Sequence, residues 1–290
     1  DIVRQLPEGS QVELDNTEDS QNLVLNSGRS KFTLSCLPTE DFPVLSGDEL
    51  PHNFELPAKA LRTLIDRTKF AISTEETRYY LNGIYIHVSD VDGTTKLRAV
   101  ATDGHRLAKV EVDCPQGAES MPGVIVPRKA VTELRKLAEE FGENIRVSVS
   151  DTRIRFSFDG VVFTTKLIDG TFPDYGRVIP TGNDKVLEVN TSDFSEAVSR
   201  VSAISSDKSR AIKLGLTAGN LLLSVISTEN GSAVEELGVD YSADGVEIGF
   251  NSRYLLDITQ QIEGDLARFT LADSASPTLV QDTSDDTTLY

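Results

Sequence analysis

The sequence of 290 residues contains no tryptophan, one methionine and two cysteines. The cysteines, Cys36 and Cys114, allow at most one disulfide and belong to no CxxC or Cys/His cluster, which favours a reducing cytoplasm and no metal site. No segment reaches the ~20 apolar residues that span a bilayer, and no leader pattern opens the chain. We therefore expect a cytoplasmic protein without metal, cofactor or membrane contact.

Motifs of the common enzyme classes are also missing. The sequence has no Walker loop, no HExxH and no GxSxG, and its aspartate-rich stretches lack the spacing of a calcium loop. Asp103 and His105 are the one pair that invites a catalytic interpretation, but no nucleophile stands at a recognisable spacing from them. We therefore predict no catalytic residues and a turn position for His105.

A short unit that runs from a strand into a helix recurs along the chain. The stretch from Phe54 to Leu64 matches Val124 to Leu134 at an offset of 70 residues, with Pro, Lys, Ala and the final Leu in common. Related units start at Leu187 and Ile248, so the starts are spaced by about 60 to 70 residues. Four ordered copies indicate a chain built from half-domain repeats.

Within each unit the hydrophobic period changes in the same order. Apolar residues at i, i+3 and i+4, as in Leu61, Leu64 and Ile65, predict a helix with one apolar face. Period-two runs over 84–88, 107–112, 145–149 and 154–158 predict strands, with Asp-Gly turns at 92–93, 103–104 and 159–160. The pattern predicts an α+β fold of repeated helices and antiparallel sheets, with the helices on one face.

The formal net charge of −18 argues against nucleic acid, because phosphate contacts need lysine and arginine. Basic residues nevertheless collect on two predicted helices, one over 58–70 and one from residue 127. A solvated helix face is the simpler explanation of this pattern. The sequence also lacks interleaved aromatics and helix-turn-helix or zinc modules, so any DNA contact would be to the backbone and sequence-independent. The candidate DNA-facing residues are Lys59, Arg62, Arg67, Lys69, Arg128, Lys129, Arg135 and Lys136.

Several motifs resemble one family. The run ATDGHRLA at 101–108, with RYYLNG at 78–83 and TFPDYGRV at 171–178, resembles the middle domain of bacterial beta sliding clamps, the beta subunit of DNA polymerase III. The resemblance covers essentially the whole chain. It implies a non-catalytic homodimeric ring around duplex DNA, with helices inside and sheets outside. Grouping with DNA-directed DNA polymerases, as a transferase or nucleotidyltransferase, would be by association only.

The resemblance also implies a domain layout and a ring interface. We expect the end of a first domain at 1–50, a complete second domain at 51–183 and a third at 184–290 that lacks a short tail. Most of the first domain would lie before Asp1, so we expect that these residues alone do not close a ring. The interface positions that match the family are Phe32 and Leu34 on one side and Ala203 and Ile204 on the other.

In this family a hydrophobic pocket between the second and third domains takes short peptides from the replicative polymerase, the clamp loader and repair polymerases. Apolar side chains would anchor the peptide, and Arg106 and Arg177 would hold its carbonyl or carboxylate groups. The matching positions, called the pocket surface below, are Leu81, Thr102, Gly104, His105, Arg106, Leu107, Pro173, Arg177, Val178, Asn251 and Tyr254.

Three alternatives stay open at this point. One is a clamp variant that binds partners or inhibitors without supporting replication. Another is an enzyme that uses Asp103 and His105, and the third is a repeat scaffold with no role at DNA. Peptide titration of the pocket surface discriminates between them.

Overall fold

The computed structural model describes residues 1–16, 21–42, 49–141, 143–205 and 210–290. The chain divides into two compact units, Asp1–Glu49 and Leu50–Tyr290. Within the described residues, no helix is long and apolar enough to cross a membrane.

The first unit is a three-stranded antiparallel sheet in the order β1-β2-β3, formed by Glu13–Asp15, Asn22–Ser27 and Ser30–Ser35. Leu25 pairs with Phe32 and Leu23 with Leu34, so apolar side chains oppose one another across the hairpin. Single 3-10 turns lie at Val3–Gln5 and Thr39–Asp41. In this sheet β3 is an edge strand.

The second unit repeats one theme four times: a strand runs directly into a helix. Each predicted start lies in such a strand, and each helix begins at the next residue. The pairs are β4 His52–Pro57 with α1 Ala58–Asp66, β8 Val124–Pro127 with α2 Arg128–Glu140, β12 Lys185–Asn190 with α3 Thr191–Ser202, and β16 Val246–Asn251 with α4 Ser252–Thr259.

The remaining strands complete four antiparallel sheets, in the orders β11-β10-β9-β4, β19-β7-β6-β5-β8, β12-β17-β18 and β15-β14-β13-β16. Asp92 and Gly93 have φ of 50° and 78°, as a two-residue hairpin between β5 and β6 requires. The strands are β5 Gly83–Val91, β6 Thr94–Thr102, β7 Leu107–Asp113, β9 Asn144–Val149, β10 Arg153–Ser157, β11 Val162–Lys166, β13 Ala211–Thr217, β14 Asn220–Ser227, β15 Gly231–Gly238, β17 Leu266–Leu271, β18 Leu279–Asp282 and β19 Thr288–Leu289.

The helices pack in two pairs, α1 with α2 and α3 with α4. Their buried faces carry the residues that the periodicity predicted, including Leu61, Leu64 and Phe194. Phe194 packs against Phe269 with ring centroids 5.1 Å apart. The α+β fold of repeated helices and antiparallel sheets is therefore confirmed.

The first helix is shorter than the sequence predicted. It ends at Asp66 instead of Phe70, and a separate 3-10 turn covers Lys69–Ala71. Thr68 is buried, and its Oγ1 donates to the Leu64 carbonyl oxygen at 2.6 Å. This side-chain bond competes with the continuing backbone ladder and stops the helix.

Candidate functional site

The turn between β6 and β7 is fixed by its own side chains. Thr102 Oγ1 donates to the Arg106 carbonyl at 2.7 Å and accepts from the Gly104 N–H at 3.0 Å. Asp103 Oδ1 accepts from the backbone N–H groups of His105 and Arg106. Gly104 has φ of 87°, where an L side chain would be strained. The turn is thus preformed, and it delivers Leu107 to the first position of β7.

The hydrogen bonds of this turn account for Asp103 and His105, and neither residue needs a catalytic role to explain its position. The Asp103 carboxylate accepts from two backbone N–H groups and from the Arg106 guanidinium, and His105 is exposed. Among the described residues no group of three or more metal-ligating side chains occurs. The pair is a turn closure at the rim of the pocket surface.

An apolar cluster lies beside the turn. Leu81, Val100, Ile125 and Phe172 are buried together, with Leu107 and Tyr175 packed against them. Leu81 is only 4% exposed, so it forms a floor, whereas Leu107 is half-buried and offers surface. The structure therefore brings together two pocket positions that are separated in the sequence.

The segment 172–178 carries three more pocket positions at the surface. Pro173 is exposed and Val178 is 60% exposed. Arg177 Nε pairs with Asp174 Oδ2 at 2.8 Å, but both side chains are well exposed, which makes this ion pair weak. Arg177 is therefore an exposed cation on this segment.

Arg106 differs from the expectation that it presents free donors to a peptide. Its Nη1 donates to Asp257 Oδ2 at 2.6 Å, its Nη2 to the Phe70 carbonyl at 2.8 Å, and its Nε to Asp103 at 3.1 Å. The guanidinium carbon lies 4.3 Å from the centroid of the Tyr254 ring, a cation–π contact. Arg106 thus ties the sheet β19-β7-β6-β5-β8, called the central sheet below, to α4.

Two further positions of the pocket surface, Asn251 and Tyr254, lie at the start of α4. The Asn251 side chain caps this helix by accepting from the Arg253 N–H at 3.0 Å. Tyr254 lies one turn further along and is half-buried against Arg106. Asn251 and Tyr254 thus lie at the same junction as the turn 103–106.

Other contacts at this junction were not foreseen from the sequence. Strand β19 pairs with β7, and Tyr290 exchanges backbone hydrogen bonds with Val280 of β18. The Tyr290 ring packs 5.7 Å from that of Phe70. Burial raises the pKa of the Tyr290 hydroxyl well above its usual range. Strand β19 and Tyr290 therefore link the sheet that contains β7 to the sheet β12-β17-β18.

The eight basic candidates separate into two groups. Five are already engaged: Arg62 donates to the Ala138 carbonyl, Arg67 pairs with Glu263, Lys69 and Arg135 with Asp66, and Lys136 with Glu133. Lys59, Arg128 and Lys129 are exposed and have no ion-pair partner within the described part of the chain. These three occupy the first turns of α1 and α2.

The candidate ring-interface positions lie beside sheet edges. Phe32 and Leu34 are half-buried on the edge strand β3. Ala203 and Ile204 follow α3, and the Asn230 side chain donates to the Ile204 carbonyl at 3.2 Å, next to the edge strand β15.

Four strand-to-helix units on antiparallel sheets define the DNA clamp class. Family models of the DNA polymerase III beta subunit match its N-terminal domain at residues 1–46, its central domain at 55–174 and its C-terminal domain at 176–290. The chain belongs to the bacterial beta sliding clamp family. It is a DNA sliding clamp, a non-catalytic processivity factor of DNA polymerase III, and the comparisons give no support to transferase activity.

Individual relatives support the same family assignment. The beta sliding clamp of Caulobacter vibrioides is 52% identical over 290 residues, which are 100% of this chain and 78% of the relative. The solved beta sliding clamp of Caulobacter crescentus has a TM-score of 0.96 at 52% identity, covering 100% of this chain and 77% of that one. The clamp of Bartonella birtlesii bound to griselimycin has a TM-score of 0.93 at 52% identity, covering 99% and 77%.

Proposed function

We propose that this clamp takes short partner peptides on the pocket surface, and that residues 1–50, 51–183 and 184–290 belong to three successive domains. The observation that supports this proposal is that three parts of the chain meet at one junction: the turn 103–106, the exposed segment 172–178 and the start of α4. The partners would be the replicative polymerase, the clamp loader and repair polymerases, in the cytoplasm.

The chemistry of this surface suits a peptide with one apolar anchor and one polar end. Leu107 offers apolar area beside the buried floor at Leu81, and Val178 is an exposed apolar side chain on the segment that Phe172 anchors to the same cluster. Arg177, the neighbour of Val178 in the sequence, supplies an exposed cation. A pre-formed apolar site with few polar groups is the usual design for capturing a short segment, because little of the protein needs ordering on binding.

A fluorescence titration tests this proposal. The probe is a fluorescein-labelled peptide that copies the clamp-binding segment of the replicative polymerase. Leu107→Asp places a charge at the anchor and is expected to weaken binding by more than about 30-fold, as loss of a hot spot does. Arg177→Ala, at an exposed site, is expected to weaken it by about three- to tenfold.

The control is Leu222→Asp, a half-buried leucine on β14. It introduces the same charge away from the pocket surface and should leave peptide affinity unchanged. Equal binding by the wild type, Leu107→Asp and Arg177→Ala would place the peptide site elsewhere.

We also propose that DNA contacts come from the first turns of α1 and α2. Lys59, Arg128 and Lys129 are the unengaged cations of the candidate set, and no side chain caps either helix. Helix N-termini carry partial positive charge that favours phosphate oxygens. Contacts of this kind are independent of base sequence and weaken with salt.

For ring assembly we propose pairing between copies through β3 and β15. Both are edge strands with unpaired backbone groups on one side. Arg29 and Lys31 give the β3 hairpin positive charge. Glu236 gives β15 negative charge, and Glu235 beside it is paired with Arg200 at 2.6 Å. Opposite charges on two free edges support antiparallel docking of a second copy, with Phe32, Leu34, Ala203 and Ile204 packed beside it.

A further inference from the structure

Tyr175 fixes the exposed segment 172–178 to the face of the central sheet. Its hydroxyl oxygen accepts a hydrogen bond from Arg98 Nη1 at 2.7 Å. The same hydroxyl lies 2.8 Å from His87 Nε2. The pocket positions Pro173, Arg177 and Val178 flank this tyrosine in the sequence, so their placement depends on what holds it.

The hydrogen-bond directions follow from the partners. His87 Nδ1 lies 3.0 Å from the Val88 carbonyl oxygen, which only accepts, so Nδ1 carries the proton. The neutral ring then leaves Nε2 as an acceptor for the Tyr175 O–H. The Tyr175 hydroxyl therefore donates to His87 Nε2 and accepts from Arg98 Nη1.

The anchor continues across three strands. His87 stands directly opposite Arg98 in the β5–β6 register, and Arg98 stands opposite Glu111 in the β6–β7 register. Arg98 Nε donates to Glu111 Oε1 at 2.7 Å, and Lys109 Nζ reaches the same oxygen at 3.1 Å. The Arg98 and Glu111 side chains are 15% and 12% exposed, so this pair is shielded from salt.

Aromatic stacking holds the other end of the segment. The Phe172 ring stacks on Tyr85 with centroids 4.9 Å apart, and Tyr85 stacks on His87 at 4.7 Å. Segment 172–178 therefore has an apolar anchor at Phe172 and a polar anchor at Tyr175.

We propose that the row His87–Arg98–Glu111, acting through Tyr175, positions the rim of the pocket surface and so sets peptide affinity without touching the peptide. This inference rests on the proposed pocket. The three row residues are positioning residues, because they are largely buried and reach the segment only through the Tyr175 hydroxyl.

The hydrogen bond between His87 and Tyr175 makes the proposed peptide affinity depend on pH. Tyr85, Tyr175, Arg98, Glu111 and Lys109 are the titratable and charged groups around His87. Burial lowers the pKa of His87 below its ordinary value of 6.5, so the ring is neutral near pH 7. Protonation at lower pH turns Nε2 into a donor and removes the acceptor for Tyr175 O–H. Peptide affinity is therefore expected to be highest above pH 6.5 and to fall as the pH drops through the lowered pKa of His87.

The test measures the affinity of the same labelled polymerase peptide from pH 5 to pH 8. Tyr175→Phe keeps the ring and Arg98→Met keeps the stem, and each is expected to weaken binding by about fivefold at pH 7.5, as loss of one or two hydrogen bonds does. His87→Gln retains polar contact with Tyr175 and is expected to flatten the pH profile while the wild type keeps its decline.

Arg155→Met is the matched control, since Arg155 donates to Thr164 across two strands of another sheet. Thermal melting of every variant reports folding, and the conservative Tyr175→Phe keeps the test open if Arg98→Met unfolds. If Leu107→Asp binds like the wild type, the pocket proposal fails and this one with it. If Leu107→Asp loses binding but Tyr175→Phe, Arg98→Met and His87→Gln keep wild-type affinity and pH profile, the positioning role alone is wrong.

Discussion

The two helix pairs of the second unit share one architecture and differ in their surfaces. Both α1 with α2 and α3 with α4 follow strands directly and bury one apolar face. The first pair carries six basic and four acidic residues, whereas the second carries two basic and three acidic. The two pairs therefore share their packing but not their net charge, and basic residues outnumber acidic ones only in the first pair.

The N-termini of the helices also differ between the two pairs. Pro57 and Pro127 precede α1 and α2 without a side-chain cap, and Lys59, Arg128 and Lys129 follow. Asn190 and Asn251 instead cap α3 and α4, and Asp193 stands in the first turn of α3. Cations at an uncapped N-terminus oppose the helix dipole and cost stability. That cost at α1 and α2 is consistent with a functional role at DNA.

The largest expected effect comes from reversing two unengaged lysines. Lys59→Glu with Lys129→Glu should weaken binding of a labelled duplex by more than about tenfold, and the slope of log K against log salt should fall by about 0.9 for each lost phosphate contact. Fluorescence anisotropy at several salt concentrations measures both. Lys166→Glu with Lys213→Glu makes the same change in net charge on strands β11 and β13. Equal losses in the two double variants would show that only net charge matters.

A smaller effect tests whether the second pair faces the same duplex. Glu196 is exposed on α3 and pairs with Arg200 at 3.2 Å. Glu196→Lys should raise duplex affinity by about two- to fourfold if α3 lies near phosphate. Glu247→Lys, exposed on β16, is the matched control and should change the affinity less. An identical response would remove α3 from the DNA-facing surface.

The smallest effects separate stability from binding. Asn190→Ala removes the cap of α3 and should lower the free energy of unfolding by about 1 kcal/mol, with duplex affinity unchanged. Lys129→Ala should do the reverse: stability stays level or rises slightly, because a first-turn cation is lost, while duplex affinity falls. Urea unfolding and anisotropy on both variants supply the comparison. A destabilised Lys129→Ala protein would contradict the contrast between the helix starts.

Much of the candidate site was within reach of sequence reasoning because its pieces are local. The 102–107 turn, the 172–178 segment and the α4 start were each identified from short motifs, and the structure places Leu81 beside Leu107 and Arg106 beside Tyr254. The internal contacts of Arg106 were not within reach. Its partner Asp257 lies 151 residues away, and no local pattern announces such a contact.

The sequence by itself determined the repeats, the faces of the helices and the hairpins, because hydrophobic period and turn residues act over a few positions. Tertiary structure alone decided which cations stay unengaged, that β19 joins β7, that Arg106 is held by Asp257 of α4, and that Tyr175 is held by partners on β5 and β6. Charge and hydrogen-bond pairing depend on which side chains the fold brings within about 3 Å, and that distance is set by packing and not by order along the chain.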